Sequence, residues 1–170
     1  MSRDESYDAL GTREHPTLGL DTFGDAPLDG APGNHAQTIR EVVEEAVLAD
    51  RVGIDYIGLG EHHRADYAIS APDVVLAAIA GRTERIRLGT GVTVLSSDDP
   101  IRVYERFATL DAVSGGRAEV QLGRGSFIES FSLFGLDLGD YDRLFAEKLD
   151  RKSTRLNSSH TDISRMPSSA

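Results

Sequence analysis

The feature that most constrains this chain is a repeated change of hydrophobic period. Short apolar segments alternate with longer ones in which apolar residues recur three or four apart. Leu18 to Gly24 reads as a strand, followed by a Pro- and Gly-rich loop from Asp25 to Gly33. From His35 to Val52 the period lengthens: Ile39, Val42, Val43, Ala46, Ala49 and Val52 form one face, with Arg40, Glu41, Glu44, Glu45 and Asp50 mainly between them. Gly53 ends that helix. Asp55 to Gly60 reads as a second strand, Ser70 to Gly81 as a second helix with Pro72 in its first turn, and Ile86 to Leu95 as a third strand. A third helix is predicted with Asp99 as N-cap and Pro100 at its first position, ending at Gly115-Gly116. Arg117 to Leu122 gives a fourth strand, and Leu144, Phe145 and Leu149 mark a fourth helix.

Strand and helix in strict alternation predict an α/β fold of parallel strands joined by crossover helices. A doubly wound dinucleotide fold places a Gly-x-Gly-x-x-Gly turn after its first strand, where this chain has Gly24-Asp25-Ala26-Pro27. The alternative, a (β/α)₈ TIM barrel, is therefore favoured. Such a barrel needs about 250 residues and eight strands. The expectation is an N-terminal half, about four β/α units.

Composition bounds the chemistry. A formal charge of −10 over 170 residues gives no basic surface for nucleic acid. No run of eighteen apolar residues suggests a membrane span, and Met1 to Pro16 is polar where a signal peptide would be apolar, so a cytoplasmic location is expected. The absence of cysteine excludes disulfides, thiolate nucleophiles and cysteine-ligated metal. Redox chemistry would need an added cofactor.

The two ends differ from the middle. Residues 1–17 lack apolar periodicity and read as a flexible arm preceding the partial barrel of residues 18–149. Residues 150–170 are poor in apolar side chains, which composition alone reads as a disordered serine-rich terminus. Asp150 to His160 also resembles the direct translation of a common sequencing-library adapter. Ser164 to Ala170 resembles a second frame of the adapter's far end. The expectation is a disordered, non-native tail.

Three places carry candidate chemistry. Glu61-His62-His63 follows the second strand directly, at the mouth where barrel enzymes gather their catalytic groups. A metal site is disfavoured because consecutive residues on extended chain point to opposite sides. The remaining readings are a histidine moving a proton near neutral pH, or a hydrogen-bonded rim. Gly123-Arg124-Gly125 follows the fourth strand at the same mouth: either glycines admitting a ligand beside an arginine fork for phosphate, or a plain strand-to-helix corner. Gly89-Thr90-Gly91 inside the third strand marks a bulge, a bend or close approach of a flat ligand.

Leu59-Gly60-Glu61-His62-His63, Gly89 to Leu95, Pro100-Ile101-Arg102, Leu110 to Arg117 and Gly123-Arg124-Gly125 together resemble the successive landmarks of luciferase-like flavin-dependent monooxygenases. The resemblance runs from about Leu18 to Leu149. It implies that His62 is the catalytic histidine beside the flavin, with Glu61 before it as a second catalytic residue and His63 following. Arg124, between Gly123 and Gly125, would hold the flavin phosphate, and Gly91-Val92 would be a non-proline cis peptide under the isoalloxazine. Light-emitting members carry a cysteine where this chain has Gly123, which argues against bioluminescence.

The function so implied is oxygenation of a small organic substrate with O₂ and reduced FMN. The reduced flavin would come from a separate NAD(P)H-dependent flavin reductase, and the parent enzyme would be a homo-oligomer. Two alternatives remain: a deazaflavin-dependent hydride transfer, and a non-catalytic flavin-binding protein, against which the Glu61-His62 pair speaks.

Overall fold

The computed structural model describes residues 16–26, 34–125 and 128–151. The arm expected over residues 1–17 and the tail expected from residue 150 therefore lie almost wholly outside the described residues. The elements are β1 (Gly19–Thr22), α1 (Asn34–Val52), β2 (Tyr56–Leu59), α2 (Pro72–Ala80), β3 (Arg87–Thr90), β4 (Thr93–Val94), α3 (Pro100–Ser114), β5 (Leu122–Gly123) and α4 (Glu129–Leu133). A 3₁₀ turn (Leu138–Asp140) then leads into a last helix, α5, over residues 141–151.

All strand pairs are parallel. β2 lies between β1 and β3, with Leu20 opposite Ile57 and Gly58 opposite Gly89. β4 pairs with β5, Val94 opposite Gly123. The third strand predicted over 86–95 is interrupted at Gly91 and Val92, whose peptide bond is cis, so β3 and β4 are its two arms. The chain from Arg117 to Gly123 runs beside both arms: the Leu88 N–H donates to the Arg117 carbonyl at 2.9 Å, and the Leu95 N–H donates to the Gly123 carbonyl at 3.0 Å. Regular strand is thus shorter here than the alternation of residues suggested. Of the expected fourth strand, Ala118 forms one bridge with Leu88 before β5 begins.

The core lies where the helices cover the sheet. Val42, Ala46 and Ala49 of α1, Leu76 and Ile79 of α2, and Val103, Phe107 and Leu110 of α3 pack with Ile57, Leu59 and Leu88 of the strands. Burying one such aliphatic side chain is worth about 1.5–3 kcal/mol, and this packing is what holds the strand ends in place. Local signals set the helix limits as the sequence indicated. The Asp99 carboxylate accepts the N–H groups of Ile101 and Arg102, and Gly115 closes α3 in the left-handed conformation.

Two polar anchors join elements that periodicity leaves unconnected. Asp50 of α1 accepts the backbone N–H groups of Glu84, Arg85 and Ile86 at 3.2, 2.9 and 2.8 Å, fixing the entry to β3. The Arg117 guanidinium donates to the carbonyls of Ala80, Thr83, Ile86 and Ser114. It gathers the C-terminal ends of α2 and α3 beside the start of β3, so this arginine serves the fold and not the site.

Candidate active site

The C-terminal ends of β1, β2, β4 and β5 converge because their strands run in parallel. Beyond β2 the chain stays close to its neighbours: the Gly60 N–H donates to the Thr22 carbonyl at 2.9 Å and the His62 N–H to the Ile69 carbonyl at 3.0 Å. Gly60 is required by close approach. A Cβ there would stand 2.3 Å from Cδ1 of Phe23, whose ring packs edge-on to His62 with centroids 5.0 Å apart. On another side Tyr67 stacks on His62, with centroids 4.3 Å apart and planes 29° from parallel. Burial among these groups pushes the His62 imidazole below its usual value, with Asp25 and Asp66 pulling the other way. The ring is therefore neutral at pH 7 and able to accept a proton.

Glu61 and His63 turn elsewhere. One Glu61 carboxylate oxygen contacts His63 Nε2 at 3.0 Å, and the other accepts the Val94 N–H at 2.9 Å. His63 meets the edge of Phe134, centroids 5.1 Å apart. Glu61 and His63, two positions apart, thus meet each other while His62 between them takes aromatic partners, and among the described residues no group of three His, Cys, Asp or Glu is placed to hold a metal ion.

Arg124 is half-exposed. Its Nη1 donates to Asp142 Oδ1 at 2.9 Å and its guanidinium lies 5.4 Å from the Phe145 ring centre, both partners belonging to α5. The flanking glycines have reasons of their own. A Cβ on Gly123 would fall 2.2 Å from Cγ2 of Val92, and Gly125 has φ of +81° with Val94 behind it. Of the expected site residues, Glu61, His62 and Gly125 line one cavity, Val92 packs on Gly123 and Gly91 lies against Asp21, while Arg124 turns to α5 and the glycines are explained by packing within the protein.

Several rim residues were not found in the sequence. Glu129 and Ser130 of α4 share a cavity with Glu61, His62 and His63. Glu129 accepts Arg64 Nη1 at 2.6 Å, and Arg64 also holds Asp66. Phe23 and Tyr67 flank His62, yet neither lies in a motif. The loop over residues 95–99, leading into α3, is braced by Arg106, which pairs with Asp98 and with Asp73, and by Lys148 Nζ donating to the Ser96 carbonyl at 2.7 Å.

The sequence and the fold are matched by known proteins. A family model described as luciferase-like monooxygenase covers residues 21–161. The chain belongs to the luciferase-like monooxygenase family. A 4-hydroxyprotoasukamycin monooxygenase of Streptomyces nodosus subsp. asukaensis is 40% identical over 125 residues, covering 73% of this chain and 33% of that protein. A monooxygenase from Streptomyces bottropensis superposes with a TM-score of 0.71 at 28% identity, over 79% of this chain and 41% of its own. The oxygenating constituent of 3,6-diketocamphane monooxygenase from Pseudomonas putida, solved with FMN, superposes with a TM-score of 0.69 at 25% identity, over 78% and 37%. The chain thus spans about a third of the curated relative's length. As in the family at large, the fold is α/β with parallel sheet. Among the described residues no helix is long and apolar enough to cross a membrane.

Proposed function

We propose that this chain is the N-terminal part, about four β/α units, of a cytoplasmic (β/α)₈ flavin-dependent monooxygenase that uses reduced FMN and O₂ on a small organic substrate. The observation that carries the reading is His62: a neutral, aromatic-flanked imidazole at the converging strand ends, in a chain of this family. The residues fit a flavin. Arg124 offers a planar fork for the phosphate, held by an exposed carboxylate that an anion can displace. Gly91, Val92, Gly123 and Gly125 would lie beside the flavin ring, where glycine backbone allows close approach. Reduced flavin, when bound, supplies the electrons for activating O₂. His62 takes and returns the substrate or flavin proton, Phe23 and Tyr67 hold its ring and exclude water, and Glu61 fixes the backbone at Val94.

The related oxygenating constituent of a diketocamphane monooxygenase supports a separate flavin reductase as partner. Homo-oligomerisation of the parent belongs to the same proposal, as does an adapter origin for the sequence from Asp150, which rests on the likeness of that stretch to translated adapter. The full-length enzyme of which this chain is a part provides the test. Reconstitution with FMN and a reductase should give O₂-dependent turnover of an organic substrate. Turnover with reduced deazaflavin and none with FMN would reject this reading in favour of hydride transfer, and flavin binding without either turnover would favour a storage role.

A further inference from the structure

Two polar groups beside His62 have no use in the reading above. Ser130 is 4% exposed, and its hydroxyl has no hydrogen-bond partner among the described residues. Its neighbour Glu129 gives one carboxylate oxygen to Arg64, while the other is buried and without a partner. A buried hydroxyl or carboxylate oxygen left unsatisfied is costly, and native structures satisfy such groups, often with an ordered water. Both residues line one cavity of ≈ 10 Å³ with Glu61, His62, His63 and Gly125. That is room for the centre of one water molecule, and a buried water needs two to four polar partners.

We propose that a single water molecule fills this cavity, held by Ser130 and Glu129, and that through it His62 exchanges its proton with solvent at the Glu129 carboxylate. The step balances without other reactants: the His62 imidazolium gives a proton to the water as the water gives one to Glu129, leaving neutral imidazole, water and a protonated carboxyl. Glu129 stands at the protein surface, its side chain 38% exposed, so it can release that proton to solvent. Arg64, bound to both Glu129 and Asp66, holds the Glu129 carboxylate in place. The other charged groups facing His62 are Asp25, Asp66, His63 and Arg64, with Glu61 on the adjoining residue. Glu61 is committed to Val94 and His63, and Asp25 and Asp66 do not line the cavity, which leaves Glu129 as the outlet.

This inference rests on His62 acting as an acid–base group, and the experiment separates the two claims. A crystal structure of the flavin-free full-length enzyme should show an ordered water within hydrogen-bonding distance of Ser130 Oγ and the Glu129 carboxylate, and Ser130→Val should displace it. Glu129→Gln should lower kcat by about tenfold with FMN affinity unchanged, less than the 10²–10⁴-fold contributed by a group meeting the substrate. Added imidazole, a mobile proton carrier, should restore that loss. Should Ser130→Val not fold, Ser130→Ala and Glu129→Gln carry the test. An active His62→Ala enzyme would reject the acid–base reading itself. With His62→Ala inactive, an empty cavity, wild-type turnover in both variants, or a loss that imidazole does not restore would overturn the water relay.

Discussion

The carboxylate of Glu61 accepts the backbone N–H of Val94 at 2.9 Å, joining the end of β2 to β4 across 33 positions of sequence. Its other oxygen contacts His63 at 3.0 Å. Both oxygens of Glu61 are thus engaged within the protein, and a positioning role can be told from a catalytic one by substitution.

From that geometry, Glu61→Gln should keep most activity, because the amide oxygen still accepts from Val94. Glu61→Ala leaves a half-buried N–H unsatisfied, at about 1–3 kcal/mol, and should lower kcat more than it raises the KM for substrate. Steady-state kinetics on the full-length enzyme measure this. Equal loss in both variants would return Glu61 to a direct role in proton transfer.

His62→Ala should retain flavin and lose about 10²–10⁴-fold in turnover. The pH profile gives an independent check. Burial lowers the imidazole's value from its usual 6.5, so the neutral, proton-accepting form persists below that pH and activity should fall on acidification only beyond it. The same shift makes the unfolded state the better proton binder between the lowered value and 6.5, so stability is lost as pH falls through that window. An acid limb centred above 6.5 would contradict the aromatic packing around His62.

Arg124→Ala should weaken FMN more than riboflavin, since FMN alone carries the phosphate. The partner Asp142 is 81% exposed, so its loss should cost little stability. Fluorescence titration with the two flavins decides the matter. Equal weakening of both would make Arg124 a corner residue bound to α5.

Asp50 predicts an acid-sensitive fold. Burial pushes its carboxyl up, but the N–H groups of Ile86, Arg85 and Glu84 together with the Arg85 charge outweigh burial and hold it below the usual 3.8. A depressed value means that the stabilisation is present above about 3.8 and disappears as pH falls through the lower folded value. Asp50→Ala should cost about 2–4 kcal/mol. Asp50→Asn should flatten the dependence of Tm on pH below about 4, and an unchanged slope would show that another carboxylate controls acid unfolding.

The 170-residue chain expressed alone should self-associate. Among the described residues β1 pairs with β2 on one side, and Leu18 and Leu20 are 55% and 46% exposed. Such an edge invites pairing with other chains. Size-exclusion chromatography with FMN titration tests this: a monodisperse monomer with the proposed full-length enzyme's flavin affinity would show that these 170 residues are self-sufficient.

Much of the fold was legible because its causes are local. The 3–4 spacing of Val42, Ala46 and Ala49 requires a buried helix face, and Asp99-Pro100 with Gly115 sets the limits of α3 through bonds within a few residues. The strand limits were less legible, since regular pairing depends on the neighbour: the segment over 86–95 divides around Gly91-Val92, and the Arg117 to Gly123 run follows both arms. α4 was missed because five residues give no period to read.

By itself the sequence determined the alternation of elements, the family landmarks and the position of Glu61-His62-His63 and Gly123-Arg124-Gly125 at strand ends. Tertiary structure decided what those residues do to one another. Folding of the strands, loops and α5 onto one another brings Val94 to Glu61, Asp142 to Arg124, and Phe23 and Tyr67 to His62. These contacts join segments by folding of the sheet and its loops, and no periodicity encodes them. The environment that keeps His62 neutral exists once the aromatic rings have closed on it, because desolvation is a property of the packed neighbourhood and not of the histidine.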